Sequence, residues 1–198
     1  YKRQVQAVSF TGSHDVGSGI YQQLAPRMAR AQMEMGGKNP TIVLADADLD
    51  YAAKLVAMAG YMMTGQVCTA TSRAIVEESV ADEFTEKLIA EAKSRNVGNG
   101  LTEGVNMGPA VSAAELEGNL EYLQIAKDEG AEVLWGGDRL IEGYLEHGHF
   151  MSPAVIGGVK NSMRIAQEEV FCPVIGVVKA GDFDEAIELS LIHISEPT

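Results

Sequence analysis

One cysteine of this chain lies where a reactive thiol would be expected. Cys68 stands in the segment 65–71, Gly-Gln-Val-Cys-Thr-Ala-Thr, a loop of small and polar residues that directly follows an apolar run. Because the thiolate is the reactive form of cysteine, such a thiol becomes a nucleophile when a base takes its proton. The best carboxylate for that role is Glu34, which precedes a Gly-Gly pair and an Asn-Pro step, a pattern that predicts a tight turn. The alternatives are an inert buried thiol and a solvated surface carboxylate.

Four motifs, taken in order, resemble the aldehyde dehydrogenase family. Glu34 opens a Glu-x-Gly-Gly-Lys motif and Cys68 closes a Gly-Gln-x-Cys motif, at the interval that this family has. The segment 10–17, which contains Phe-Thr-Gly-Ser and Val-Gly, is similar to the family's phosphate-side cofactor turn. The segment 168–173, Glu-Glu-Val-Phe-Cys-Pro, resembles its Glu-Glu-x-Phe-Gly-Pro motif. The resemblance covers about residues 1–189.

The alternation of strand-like and helix-like segments indicates an α/β fold with a mostly parallel sheet flanked by helices. The resemblance implies an aldehyde dehydrogenase-like catalytic domain that is truncated at both ends. We expect residues 1–33 to be the last part of a cofactor-binding domain and residues 34–190 to be the catalytic domain. Residues 191–198 match no family pattern, and we interpret them as a non-native tail.

Local patterns predict the individual elements. A stripe of Tyr51, Leu55, Met58 and Met62 at helical spacing predicts the helix that leads to the Cys68 loop. Further helices are predicted over 15–30, from an N-cap at Ser79, and from a capping box that begins at Ser112 and stops near Gly130. Strands are predicted at 4–10, 41–44, 73–76, 131–135, 154–159 and 174–179.

The resemblance also implies a role for particular residues. Cys68 would attack the substrate and Glu34 would activate water. The implied cofactor-binding residues are Gly12, Ser13, Val16, Gly17, Gly36, Glu169 and Phe171. The first two would meet phosphate through backbone groups at a helix start, and the last two would hold the nicotinamide ribose. Without the resemblance the cofactor turn is a weak signal, because it lacks a Gly-x-Gly-x-x-Gly fingerprint. Cys172 stands where the family has Gly, and we interpret it as structural, with a redox role as the alternative.

Three functions remain open at this point. The resemblance implies a dehydrogenase that oxidises an aldehyde to a carboxylic acid through a thiohemiacetal and a thioester on Cys68, with NAD or NADP. The alternative is a cofactor-independent cysteine esterase that uses Cys68 and Glu34, since the chain lacks most of the family's NAD(P) domain. A catalytically inactive truncation is the third. The motifs resemble those of the semialdehyde dehydrogenases of sugar-acid breakdown, such as the 2-oxoglutarate-semialdehyde group.

The amino-acid composition limits the kinds of partner and the compartment that we expect for this protein. The net charge of −13 disfavours nucleic acid and anionic membranes, and no apolar run approaches the roughly 18 residues of a membrane helix. Two cysteines favour a reducing compartment, so we expect a cytoplasmic enzyme acting on a small aldehyde or ester. His147 and His149 lack a third ligand nearby, and no metal site is predicted. We expect a homo-oligomer, because a domain cut from a larger fold exposes apolar surface.

Overall fold

The computed structural model describes residues 4–191 of the chain. By contacts between residues, the chain divides into two compact units, Tyr1–Gly37 and Lys38–Thr198. Apart from Leu191, the tail predicted for residues 191–198 lies outside the described residues.

The first unit is a strand-helix-strand unit. It contains β1 (Ala7–Gly12), α1 (His14–Leu24), a 3-10 turn (Ala25–Arg27) and β2 (Arg30–Met35), and the two strands are parallel. The predicted helix over 15–30 is wrong beyond Leu24. Pro26 lies in the 3-10 turn and lacks the N–H that a continuing helix needs, and Met28 has a left-handed φ of 54°. Residues 30–35 therefore form an additional strand, whose side chains alternate between exposed and half-buried.

The second unit is built on a five-stranded sheet. Its strands are β3 (Asn39–Val43), β4 (Thr71–Glu77), β5 (Glu132–Trp135), β6 (Ala154–Gly157) and β7 (Val174–Ala180). Its helices are α2 (Leu49–Tyr61), α3 (Glu78–Lys93), α4 (Ala113–Asp128), α5 (Arg164–Gln167) and α6 (Phe183–Ser190), with 3-10 turns at Met62–Gly65 and Gly143–His147. The strand order is β3-β4-β7-β6-β5, and every pair is parallel except β5 and β6. The predicted mostly parallel sheet is confirmed.

Helices cover both faces of this sheet. Successive residues of β4 belong to different buried clusters, with Ile75 in one and its neighbours Ala74 and Val76 in the other. Because side chains alternate across a strand, these clusters lie on opposite faces of the sheet. One face packs against α2 and α3, and the other packs against α4, α5 and α6.

The apolar stripe that predicts α2 does not form its buried face. Tyr51, Leu55 and Met58 are exposed, while Ala53 and Ala57 are almost fully buried. Small residues let the helix approach the sheet closely, so the bulky apolar side chains point away from the core. The helix is confirmed, but its packing face follows from tertiary contacts that the stripe does not reveal.

Two capping predictions have different outcomes. The Ser112 side chain accepts a hydrogen bond from the Glu115 N–H, and α4 ends just before Gly130, which has a φ of 97° that suits glycine. Ser79 is not an N-cap, because α3 begins at Glu78 with Glu77 as its N-cap residue. No helix within residues 4–191 is long and apolar enough to cross a membrane.

Candidate active site

Cys68 lies in an exposed tight turn. The N–H of Ala70 donates a hydrogen bond to the carbonyl of Val67 at 2.9 Å, so Cys68 and Thr69 are the two central residues of the turn. Cys68 is a free, exposed cysteine. Within the described residues of the second unit, no acceptor receives the Cys68 N–H. Both the thiol and this N–H are therefore available to a substrate.

The backbone that leads into this turn is strained. Met63, Thr64 and Gly65 all have left-handed conformations, with φ of 51°, 62° and 69°. This region favours glycine and is a clear outlier for a β-branched residue such as Thr64. Such strain persists only where surrounding contacts hold it, and it is concentrated at functional sites.

Contacts on the upstream side hold this strained segment. The Thr64 hydroxyl donates to the carbonyl of Gly108 at 3.1 Å. The Gln66 side chain accepts from the Val111 N–H at 2.8 Å and donates to the carbonyl of Pro109 at 3.2 Å. A side chain at Gly65 would collide with the carbonyl of Cys172, so this position accepts only glycine. The segment is fixed by backbone from two other parts of the unit.

Asn39 holds the downstream side of the turn. Its side-chain amide nitrogen donates to the carbonyl of Cys68 at 2.6 Å and to the carbonyl of Ala70 at 3.1 Å. The predicted tight turn at Asn39-Pro40 is wrong, because both residues begin β3. This strand lies at the edge of the sheet, where a proline is tolerated.

Cys172 has the opposite character to Cys68. It is buried, and burial raises the pKa of its thiol to about 12, against a smaller lowering by Lys38. It is therefore a protonated thiol at neutral pH and a poor nucleophile. The structure places its carbonyl against Gly65, which brings the segment 168–173 beside the start of the Cys68 motif.

Two buried cations lie in the same region. Lys38 is only 5% exposed, and burial lowers its pKa to about 8, opposed by the carboxylates of Glu169 and Glu168. Arg73 is fully buried and donates to the carbonyl of Lys38 at 2.8 Å and to that of Leu189 at 2.9 Å. Carbonyl oxygens satisfy its guanidinium, and its charge helps to lower the pKa of Lys38.

An ion pair anchors the start of the predicted ribose-binding segment. The guanidinium of Arg164 donates two hydrogen bonds of 2.9 Å to the carboxylate of Glu168, and the Tyr122 hydroxyl donates a third at 2.6 Å. These bonds lower the pKa of Glu168 to about 2. Glu169 is exposed, and Phe171 is 39% exposed with a left-handed φ of 59°. Phe171 is therefore a predicted site residue with a strained backbone.

The other predicted site residues lie in the first unit. Glu34 is an exposed residue of β2 and pairs in register with Thr11 of β1. Gly12 ends β1, and Ser13 is the N-cap residue of α1 without a side-chain capping bond. Both therefore lie at the carboxyl edge of the same two strands as Glu34.

The remaining three residues have different settings. Val16 is exposed in the first turn of α1, and Gly36 is exposed just after β2. Gly17 is buried, and a side chain there would meet Met35 and Phe10, so glycine permits close packing of the helix on the strands.

Some residues that shape the site were not predicted. Lys38 and Asn39 were only part of a motif and a turn signal, although Lys38 is buried and Asn39 donates two hydrogen bonds to the Cys68 turn. The left-handed run at Met63 and Thr64 has no sequence signature, because neither residue type favours that conformation. Among residues 4–191, no group of three or more acidic, His or Cys side chains is placed to hold a metal ion.

Known proteins with similar sequences include two semialdehyde dehydrogenases. The chain is 45% identical over 186 residues to alpha-ketoglutaric semialdehyde dehydrogenase of Bacillus subtilis, covering 94% of this chain. It is 48% identical over 183 residues to alpha-ketoglutarate semialdehyde dehydrogenase of Haloferax volcanii, covering 92% of this chain. The chain spans 38% of the length of each of these relatives.

Solved structures agree with the sequence relatives. The crystal structure of betaine aldehyde dehydrogenase from Staphylococcus aureus in complex with NAD+ matches with a TM-score of 0.93 and 39% identity, covering 95% of this chain and 37% of that one. This match confirms the predicted fold class. The profile of the aldehyde dehydrogenase family matches residues 1–190. The protein therefore belongs to the aldehyde dehydrogenase family.

Proposed function

We propose that this protein carries the catalytic machinery for oxidising an aldehyde to a carboxylic acid, with Cys68 as the nucleophile and Glu34 as the general base. The observation that carries the proposal is the contrast between the two cysteines. Cys68 is exposed in an anchored turn with its N–H available, whereas Cys172 is buried and held as a neutral thiol. The chemistry of the family needs one thiolate that a substrate can reach, and Cys68 is the residue that meets this need.

In the first step, the thiolate of Cys68 attacks the aldehyde carbonyl. A carbon–sulfur bond forms, and the carbonyl electron pair moves onto oxygen to give a thiohemiacetal. The Cys68 N–H, which has no acceptor among the described residues of its unit, can donate to that oxyanion. Because turns with strained, anchored backbone move little, this donor is held ready for the developing charge.

The nicotinamide cofactor, when bound, supplies the acceptor for the hydride that leaves the thiohemiacetal carbon. The carbon is then a thioester of Cys68. Glu34 removes a proton from a water molecule whose oxygen attacks the thioester carbonyl, and Cys68 departs as the thiolate. The carboxylic acid is released, and the thiolate is ready for another turnover.

The residues of this chain fit such a cofactor. In the first unit, β1 leads through Gly12 and Ser13 into α1, and both strands are parallel, which is the arrangement that binds the phosphates of dinucleotides. The Ser13 side chain does not cap the helix, so the first N–H groups of α1 can donate to phosphate oxygens. Glu169 and Phe171 would hold the nicotinamide ribose. The strained, left-handed backbone of Phe171 supports a functional role for that residue.

The proposed substrate is a semialdehyde that also carries a carboxylate, of the 2-oxoglutarate-semialdehyde type. Support comes from the relatives at 45% and 48% identity, both named for that substrate. A further relative from Saccharolobus solfataricus, 44% identical over 187 residues, is named 2,5-dioxopentanoate dehydrogenase. The esterase alternative receives no support from them, since each of these relatives is named a dehydrogenase.

Aldehyde-dependent formation of NAD(P)H by the chain and its variants tests the proposal. Cys68→Ala should abolish the reaction, whereas the matched variant Cys172→Ser should retain it, because that thiol is buried and neutral. Glu34→Gln should lower steady-state turnover about 10²-fold, as expected for a lost general base, while keeping one rapid turnover. Full activity in Cys68→Ala would contradict the proposal, and unchanged turnover in Glu34→Gln would move the base elsewhere.

A further inference from the structure

We propose that Asn39 is a positioning residue for the nucleophile, acting through the backbone of the Cys68 turn. The inference rests on the proposed function, in which Cys68 is the attacking group. It starts from two hydrogen bonds that a single side-chain atom makes. One side-chain amide nitrogen donates to two carbonyl oxygens, those of Cys68 and Ala70, which lie on either side of Thr69.

These two bonds fix the part of the turn whose backbone can rotate most easily. The peptide between Cys68 and Thr69 is the central peptide of the turn, and its carbonyl can point to either side of the turn plane. The bond of 2.6 Å from Asn39 selects one side. Without this bond φ at Cys68 is also free to change, and that angle sets the direction of the Cys68 N–H relative to the Cα–Cβ bond that carries the thiol.

The upstream side of the same turn is fixed independently. Gln66 is bonded to Pro109 and Val111, and Gly65 packs against the carbonyl of Cys172. Asn39, at the start of β3, thus fixes the backbone of the downstream half of the turn. With both halves held, the thiol and the oxyanion donor keep one geometry, and neither has to be ordered during the reaction.

The role is positional, because Asn39 is bonded to carbonyl groups and not to the sulfur. Loss of the amide should therefore slow attack on a carbonyl, which needs the sulfur and the N–H aligned. It should affect alkylation by iodoacetamide much less, because that reaction forms no oxyanion. A merely structural role would lower acylation only in proportion to the loss of folded protein, because an exposed thiol stays open to alkylation when the chain unfolds.

The experiment compares these two reactions in the 198-residue chain. Single-turnover acylation by p-nitrophenyl acetate and alkylation by iodoacetamide are followed by peptide mass mapping, with the folded fraction measured by circular dichroism. The variants are Asn39→Ala, Asn39→Ser as a shorter donor, and Thr41→Ala as the matched control. Thr41 lies in the same strand and loses a side-chain bond to Thr71 instead of a bond to the turn.

We expect Asn39→Ala to slow acylation of Cys68 by about 10-fold to 100-fold, the effect of a small misplacement of reacting groups, with alkylation changed by less than about threefold. Asn39→Ser should recover part of the rate, and it serves alone if Asn39→Ala does not fold. Thr41→Ala should acylate at the wild-type rate. Equal acylation in wild type and the Asn39 variants would overturn the inference, as would a fall in acylation no larger than the loss of folded protein, or a parallel fall in both reactions. A wild-type chain whose Cys68 is neither acylated nor alkylated would instead refute the proposed function.

Discussion

Replacement of the buried Lys38 should stabilise the protein, and the gain should depend on pH. Lys38 is only 5% exposed, and burial lowers its pKa from 10.5 to about 8. The carboxylates of Glu169 and Glu168 oppose this shift, but Arg73 adds to it. The net effect is that the folded protein holds the charged ammonium less well than the unfolded chain does.

The direction of the pH dependence follows from proton binding. Below pH 8 the amine is charged in both states, and the folded protein carries the full penalty. Between pH 8 and 10.5 the unfolded chain binds more protons, so the stability contributed by this group rises with pH. Since each pH unit of this interval corresponds to about 1.4 kcal/mol, the penalty at pH 7 is about 3 kcal/mol. Lys38→Met removes the charge and keeps the apolar stem.

Urea unfolding at a series of pH values measures this effect. At pH 7 we expect Lys38→Met to have a free energy of unfolding about 3 kcal/mol above wild type, and we expect the difference to shrink above pH 8. The difference between the two proteins matters, because burial raises the pKa of Tyr61, whose ionisation affects both proteins alike. Lys38 lowers the pKa of the Cys172 thiol, so its removal should shift that pKa further upward. The exposed Lys54→Met should stay within about 0.5 kcal/mol of wild type throughout. A lower stability of Lys38→Met at pH 7, or a gap that does not change with pH, would refute the reasoning.

Three further outcomes follow from the structure. Gly65→Ala should lower the free energy of unfolding by about 3 kcal/mol, since it adds left-handed strain to a collision with backbone, while Gly118→Ala, in an open helical position, should raise it by about 1 kcal/mol. Arg164→Met should raise the pKa of Glu168 from about 2 toward its usual range, as measured by NMR titration. The wild-type carboxylate stabilises the fold until the pH falls to about 2, so the variant should lose this stabilisation at a higher pH. Met58→Gln, on the exposed apolar face of α2, should weaken self-association seen by light scattering.

Each of these has a clear contrary result. Equal stability of the two glycine variants would mean that the backbone near Gly65 relaxes freely. An unchanged titration of Glu168 would assign its low pKa to other groups. A wild-type chain that scatters as a clean 21.2 kDa species at micromolar concentration would refute the expected oligomer, and identical association of Met58→Gln would place its interface elsewhere.

The parts of the fold that sequence predicted best are those with local physical signatures. Ser112 and Gly130 bracket α4 because capping and left-handed termination depend only on neighbouring residues. The strands of the second unit are short, apolar and bounded by polar residues, and they were placed within a few positions. The Cys68 loop was likewise identified from residue types alone, as a small-residue segment after an apolar helix.

Other features depend on the tertiary structure. The Asn39-Pro40 step has the composition of a turn, but at the edge of a sheet proline is tolerated, and the asparagine is used for two long-range bonds. The apolar stripe of α2 predicts a buried face, yet close packing selects small residues such as Ala57 instead. The low pKa of Lys38 arises from burial and a neighbouring guanidinium, which no spacing along the chain displays.

The identity of the acylated atom tests most directly whether an aldehyde is oxidised through a thioester on Cys68. Glu34→Gln would be incubated with 2-oxoglutarate semialdehyde and NAD(P), quenched in acid and mapped by peptide mass spectrometry, with the full-length Bacillus subtilis relative as a positive reference. We predict a hydroxylamine-sensitive acyl group on the peptide that contains Cys68, and none when the cofactor is omitted, because the unoxidised thiohemiacetal reverses on denaturation. An acyl group on Cys172, or an unmodified Cys68 under conditions in which the reference is acylated, would contradict the account.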